Sequence, residues 1–271
     1  MNIKTYADLY ADTLSLLPRL PPISEVWGVP RSGMLPAAIL ATELNVPLGM
    51  VGARGIGGGQ RLDRATGHSG RVLVIDDSVG SGHAIREARR RKPDALYACV
   101  YMRPGKQGLV DIFAQMLPRP RIFAWSLWHS AMIESCLTDF DGVLCVDPTV
   151  REDDQVAYAE WLREAVPLYR PRRVAGIVTN RLERYRADTE RWLLTHGIDH
   201  GGLTMQPYAT PRERRKQSDT AAYKAEVYAA SDAPLFIESY DKQAARIAEL
   251  SCKPVLAVPS WTLYERGTLT P

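Results

Sequence analysis

Cysteine is scarce in this chain of 271 residues, long apolar runs are missing, and net charge is small. The four cysteines, Cys99, Cys136, Cys145 and Cys252, are scattered and lack metal-ligand spacing. Cys99, Cys145 and Cys252 lie in or beside apolar stretches and read as buried free thiols. No apolar run approaches membrane-spanning length. The first twenty residues carry acids where a secretory signal would need an apolar core, so the expected location is the cytoplasm, without a membrane partner. A formal charge of +3 is too small to argue for direct nucleic-acid binding. Internal repeats and low-complexity segments are also missing.

What is present is ordinary for a folded globular protein: 45% hydrophobic and 24% charged residues. Charge is unevenly spread. Up to Glu134 there are 16 Lys/Arg against 11 Asp/Glu, a balance of +5, and the remainder carries −2. A modestly basic first half suits a polyanionic small substrate, although free surface charge explains it equally well.

Periodicity predicts helices over 6–17 and 35–44, and strands over 26–29, 47–51, 72–75, 95–102, 111–114 and 122–128. The glycine-rich stretch 53–70 has no core-forming pattern, and a loop of that length is usually functional or disordered. After about Ser130 the alternation begins again. Strands are expected at 136–144, 174–178, 234–237 and 254–258, with helices at 154–165, 185–195, 220–230 and 242–250. The fold class read from this is α/β in two domains, 1–130 and 131–271, each a mostly parallel sheet flanked by helices.

Two stretches carry chemistry. The first is RVLVIDDSVGSGHA, 71–84, an apolar strand running into Asp76 and Asp77 and then into a turn of small residues. Such a turn lets backbone N–H groups close around an anion at a helix N-terminus. Two carboxylates beside a phosphate cradle suit a ligand that also brings hydroxyls or a divalent cation. Upstream, Gly28-Val29-Pro30-Arg31-Ser32-Gly33 follows a predicted strand. The second stretch is Asp139-Phe140-Asp141-Gly142-Val143, again at the end of an apolar strand. Taken alone it is also compatible with an ordinary acidic turn or a calcium loop.

The first stretch resembles the diphosphoribosyl-binding motif of type I phosphoribosyltransferases, with Ser81-Gly82 standing for its Thr-Gly and Ala84 in place of the final Thr. The resemblance implies that Asp76 and Asp77 hold the ribose hydroxyls. Ser78, Val79, Gly80, Ser81 and Gly82 would bind the 5′-phosphate, one hydroxyl short at Ala84. Arg31, Ser32 and Gly33 would take the pyrophosphate, and 53–70 would form a mobile hood over the site. Trp125 and Trp128, on the last strand of this domain, would stack on a planar acceptor or simply fill a core.

The second stretch resembles motif I of haloacid dehalogenase-like hydrolases. Asp139 would attack phosphorus and Asp141 would protonate the leaving oxygen. By the same resemblance Thr179 and Asn180 end a motif II strand and face the phosphate, and Lys224 is the motif III lysine. Glu238 stands in motif IV, with Asp241 as the nearest second acid. Mg²⁺ would be held by Asp139, Asp141 through its backbone, and Glu238, with Asp241 a weaker candidate. Arg181 would face the substrate or simply lie on the surface, and the basic run 212–216 is read as a solvated face in preference to a binding patch. The insertions 148–173 and 200–217 leave room for only a minimal cap.

The order matches phosphoribosyltransferase–phosphatase fusions, including those encoded with tellurite-resistance-type genes. The implied function is a two-step enzyme. Phosphoribosyl pyrophosphate and an unidentified acceptor meet in the first domain, and a 5′-phosphate ester is hydrolysed in the second. The alternatives are a first domain that senses phosphoribosyl pyrophosphate or a nucleotide without turnover, and a phosphatase serving an unrelated ester. A macromolecular acceptor and a homodimer stay open.

Overall fold

The computed structural model describes residues 1–52, 69–258 and 260–267. The chain divides into two compact units, Met1–Ser126 and Leu127–Pro271. Each is mixed α/β with a parallel-dominated sheet.

In the first unit the elements run β1 (Asn2–Lys4), α1 (Tyr6–Leu14), β2 (Ile23–Gly28), α2 (Met34–Leu44), β3 (Leu48–Met50), β4 (Arg71–Val79), α3 (His83–Arg91), β5 (Leu96–Met102), β6 (Ile112–Met116) and β7 (Arg121–Phe123). The main sheet has the order β3-β2-β4-β5-β6, every pair parallel. Its central strands are apolar on both faces because both are covered. Leu73 and Ile75 of β4 join Ala98 and Val100 of β5 in a core with Leu9, Ala37 and Leu40 from α1 and α2. Val74, Tyr97 and Cys99 point the other way, against Ile85 and Ala88 of α3.

Local signals explain the helix ends. Thr5 and Asp8 form a reciprocal capping box at the start of α1. Asn45, left-handed at φ 51°, closes α2. One small strand of this unit, β1, escaped the sequence reading. β1 pairs in parallel with β7, so the stretch expected as a strand over 122–128 contributes only Arg121–Phe123. The glycine-rich segment proposed as a hood lies, but for its last two residues, outside the described residues.

The second unit continues with β8 (Leu137–Thr138), α4 (Gln155–Glu164), β9 (Arg173–Val174), β10 (Gly176–Leu182), α5 (Arg186–Thr195), β11 (Asp199–His200), β12 (Leu203–Gln206), α6 (Pro211–Gln217), α7 (Thr220–Ala229), β13 (Phe236–Glu238), α8 (Asp241–Ser251), β14 (Val255–Ala257) and β15 (Thr262–Tyr264). Its sheet order is β12-β10-β8-β13-β14-β15, with only β15 antiparallel. Ala221, Ala225 and Tyr228 of α7 and Ala244, Ile247 and Ala248 of α8 pack on Leu137, Phe236 and Val255. Trp128 lies in this unit, stacked on Tyr169 at 4.2 Å, and not on a strand of the first. Cys99, Cys136 and Cys145 are buried free thiols; Cys252, expected to be buried, is exposed because it caps α8 in the left-handed conformation. Among the described residues no helix is long and apolar enough to cross a membrane.

Candidate active sites

In parallel sheets the ligand end is the carboxyl edge of the strands, and both groups of candidate residues lie there. In the first unit β4 extends through Val79, since Ser78 and Val79 still pair with Tyr101 and Met102 of β5. Asp76 and Asp77 are therefore strand residues, and the free turn is confined to Gly80, Ser81 and Gly82. Gly82 adopts φ +75° with Leu109 against it, a conformation and a space that only glycine fills without strain. The Ser81 hydroxyl accepts from the His83 N–H at 3.3 Å.

The two loops read separately from the sequence meet at Gly33. A Cβ there would come within 2.5 Å of the Val29 carbonyl oxygen and 2.8 Å of Asp76 Oδ1. Glycine is thus the condition for bringing Arg31-Ser32-Gly33 against the carboxylate pair. The Asp77 N–H donates to Asp76 Oδ1 at 2.9 Å. Burial, then the neighbouring Asp77 charge, push the Asp76 carboxyl well above its ordinary range. Asp77 is buried and accepts from Trp125 Nε1 at 2.7 Å. Trp125 also lies over Phe123 at 4.9 Å, with Tyr101 and Tyr6 near 6 Å. One face of the indole is therefore already used, and its polar tip holds Asp77.

In the second unit Asp139 follows β8 and Glu238 ends β13, and Lys224 of α7 lies between them. Its Nζ is 2.6 Å from Asp139 Oδ2 and 2.8 Å from Glu238 Oε2, with all three residues buried. One ammonium thus serves two carboxylates. Burial, then the Glu238 charge, push Asp139 up. For Lys224 burial acts downward, but Asp139 and Glu238 outweigh it and keep the ammonium protonated. Gly142, at φ +72°, lets the turn after Asp141 press on Ser239; a Cβ would meet the Ser239 Cβ at 2.5 Å.

β10 runs on to Leu182, so Thr179, Asn180 and Arg181 lie within the strand and not beyond its end. Thr179 is fully buried and its hydroxyl accepts from the Arg181 N–H, so it does not line the cavity. Asn180 does line it, with its side-chain oxygen accepting from Gln206 and Thr220. Arg181, expected to face the substrate or lie on the surface, has a side chain with no solvent exposure. It holds Asp141 through Nη2 at 2.6 Å and through Nε at 3.1 Å and 3.2 Å, and its guanidinium lies 3.7 Å over Phe140. The missed signal was position: Arg181 lies within a strand that is buried almost throughout. Asp241 is not brought to the site. It begins α8 and accepts from Ser260 and Tyr264.

A cavity of about 430 Å³ opens over Asp139, lined also by Asp141, Asn180, Lys224 and Glu238. Asp147, Glu152, Arg214 and Thr220 complete much of its wall, none of which the motifs had indicated. Among the described residues no group of three or more His, Cys, Asp or Glu side chains is arranged to hold a metal ion. The donor chemistry nonetheless suits Mg²⁺, which takes one or two carboxylates and completes its shell with water and substrate phosphate. Asp139 and Glu238 supply those two.

No protein-family model matches the chain. Xanthine-guanine phosphoribosyltransferase of Nitratidesulfovibrio vulgaris (strain DP4) is 33% identical over 121 residues, covering 40% of this chain and 73% of that protein. The enzyme of the same name from Idiomarina loihiensis is 30% identical over 144 residues, covering 48% of this chain and 89% of its own length. Among solved structures, a purine phosphoribosyltransferase from Pyrococcus horikoshii Ot3 is 21% identical with a TM-score of 0.35, over 46% of this chain and 95% of its own. The two sequence relatives match the N-terminal part of the chain, which carries the Gly33–Asp76 contact and the acidic pair. Over that N-terminal part, the chain belongs to the xanthine-guanine phosphoribosyltransferase family.

Proposed function

We propose that the first unit transfers 5-phosphoribose from phosphoribosyl pyrophosphate to an acceptor, and that the second hydrolyses the resulting 5′-phosphate to leave a riboside. The observation that carries the first step is the packing of Gly33 on Asp76, which joins a pyrophosphate loop to a ribose-binding acid pair. Asp76 and Asp77 hold the ribose hydroxyls, and Trp125 fixes the Asp77 carboxylate through its indole N–H. The 80–82 turn takes the 5′-phosphate, and Arg31 takes the leaving pyrophosphate with its planar fork of donors. The transition state is a sugar cation, so positioning and neutralisation of the leaving group do most of the work. The relatives' names make a purine of the xanthine or guanine kind the first acceptor to try.

For the second step, support comes from the order Asp139, Thr179-Asn180, Lys224, Glu238 along the chain, with Lys224 joining both acids in space. Asp139 attacks phosphorus to give an aspartyl-phosphate that water then hydrolyses. Asp141, oriented by Arg181, takes up a proton before the step and passes it to the leaving oxygen. Lys224 offsets the charge that gathers as the bond forms. Asp139, Glu238 and the Asp141 backbone carbonyl would hold Mg²⁺, which supplies neutralisation of the phosphoryl oxygens when bound. Tethering the two steps raises the local concentration of the intermediate ester.

The test is incubation with phosphoribosyl pyrophosphate, Mg²⁺ and xanthine or guanine. Asp139→Asn should accumulate a phosphorylated ribosyl product, whereas the Asp76→Asn/Asp77→Asn double variant should yield none. The same dephosphorylated product from Asp139→Asn and from the parent would sink the sequential reading.

A further inference from the structure

The cavity over Asp139 is short of usable positive charge. Among the described residues five carboxylates line it, against Lys224 and Arg214 as cations. Two of the three Lys224 donors are committed to Asp139 and Glu238. Arg214 is placed differently. It belongs to α6, inside the basic run that the sequence pattern assigns to solvent, yet its side chain is only 12% exposed. Its Nη1 makes all of its polar contacts: 2.8 Å and 3.1 Å to the Glu152 carboxylate and 2.7 Å to the Asn180 carbonyl oxygen. Among the described residues, Nε and Nη2 have no partner. Arg215, one position on, instead pairs with Asp153 at a half-exposed surface.

We propose that Arg214 binds the phosphoryl group in the second site, offering Nε and Nη2 to two oxygens of a phosphate monoester dianion. This rests on the reading of the second unit as a phosphatase. A dianion entering an acid-lined cavity needs a cation that is not already spent on the reacting carboxylates. The guanidinium edge matches two phosphate oxygens in geometry, which a lysine does not. The bond from Nη1 to the Asn180 carbonyl holds the guanidinium beside the strand that carries Thr179 and Asn180. Glu152 occupies only Nη1 and leaves the Nε–Nη2 edge open, while adding one more carboxylate to the wall a phosphate must approach. The short insertion 200–217 thus contributes a binding group to the site and not merely a rim.

The experiment uses the full chain with Mg²⁺, p-nitrophenyl phosphate as substrate and inorganic phosphate as product inhibitor. Arg214→Gln should raise KM and the phosphate inhibition constant together, by about 10–100-fold, with kcat reduced far less. Arg215→Gln should leave both constants at the parent values. Glu152→Gln keeps Arg214 and removes one carboxylate from the cavity wall, so both constants should fall. Unchanged constants in Arg214→Gln, or constants that rise or stay fixed in Glu152→Gln, would overturn the assignment while leaving the phosphatase reading intact. A parent chain that hydrolyses the ester no faster than Asp139→Asn would remove the phosphatase reading, and this assignment with it.

Discussion

Arg181 carries a positive charge into the interior of the second unit, and Asp141 is its ion-pair partner. A buried ion pair adds little net stability, but removing one member leaves the other stranded. Asp141→Ala should therefore destabilise the second unit by about 3–5 kcal/mol, whereas Asp141→Ala/Arg181→Met should recover most of that loss. Denaturant unfolding of the three chains checks it; equal stability of the single variant and the parent would refute the pairing argument. Asp76 gives a second prediction at this scale. Burial and the Asp77 charge raise its folded-state carboxyl above the ordinary value of 3.8, so stability is lost progressively as pH climbs from 3.8 to the raised pKa. Asp76→Asn should accordingly stabilise the first unit near pH 8, and the gain should vanish as pH falls below 3.8. Thermal unfolding at the two extremes measures the difference.

Among the elements, short turns decide whether the strand ends can converge. Gly142 combines φ +72° with the closest approach of its turn to Ser239, immediately after Glu238. Gly142→Ala meets both a left-handed backbone and a Cβ clash, and should cost about 2–3 kcal/mol. Because Glu238 is the neighbour of Ser239, ester hydrolysis should fall by more than the fraction unfolded accounts for; kinetics at a temperature where the variant is folded makes the comparison. β10 teaches a related lesson. Its apolar start was legible, but its continuation through Thr179, Asn180 and Arg181 was not, because polar residues look like a strand end unless a buried partner is known. The partner, Asp141, comes from a different element 40 residues away. Arg214 was hidden in the same way, its run of basic neighbours being indistinguishable from a solvated face until α6 was seen against Asn180.

In the whole molecule, the two units have separate cores, and each half of the proposed function should fail on its own. Asp139→Asn is expected to leave pyrophosphate release by the first unit within about twofold of the parent, as for substitutions with no shared partners. The sequence by itself determined the class: alternating apolar strands and amphipathic helices, with a pair of acids on the carboxyl side of an apolar strand core in each of two runs. It did so because strand and helix periods, and the residues that stop them, are local properties. The tertiary structure decided which charges meet. Gly33 touching Asp76, Lys224 shared by Asp139 and Glu238, Arg181 spent on Asp141, and Asp241 turned away to Ser260 and Tyr264 all depend on contacts between distant segments. Burial sets the cost of leaving any of those charges unpaired, and burial is a property of the folded chain alone.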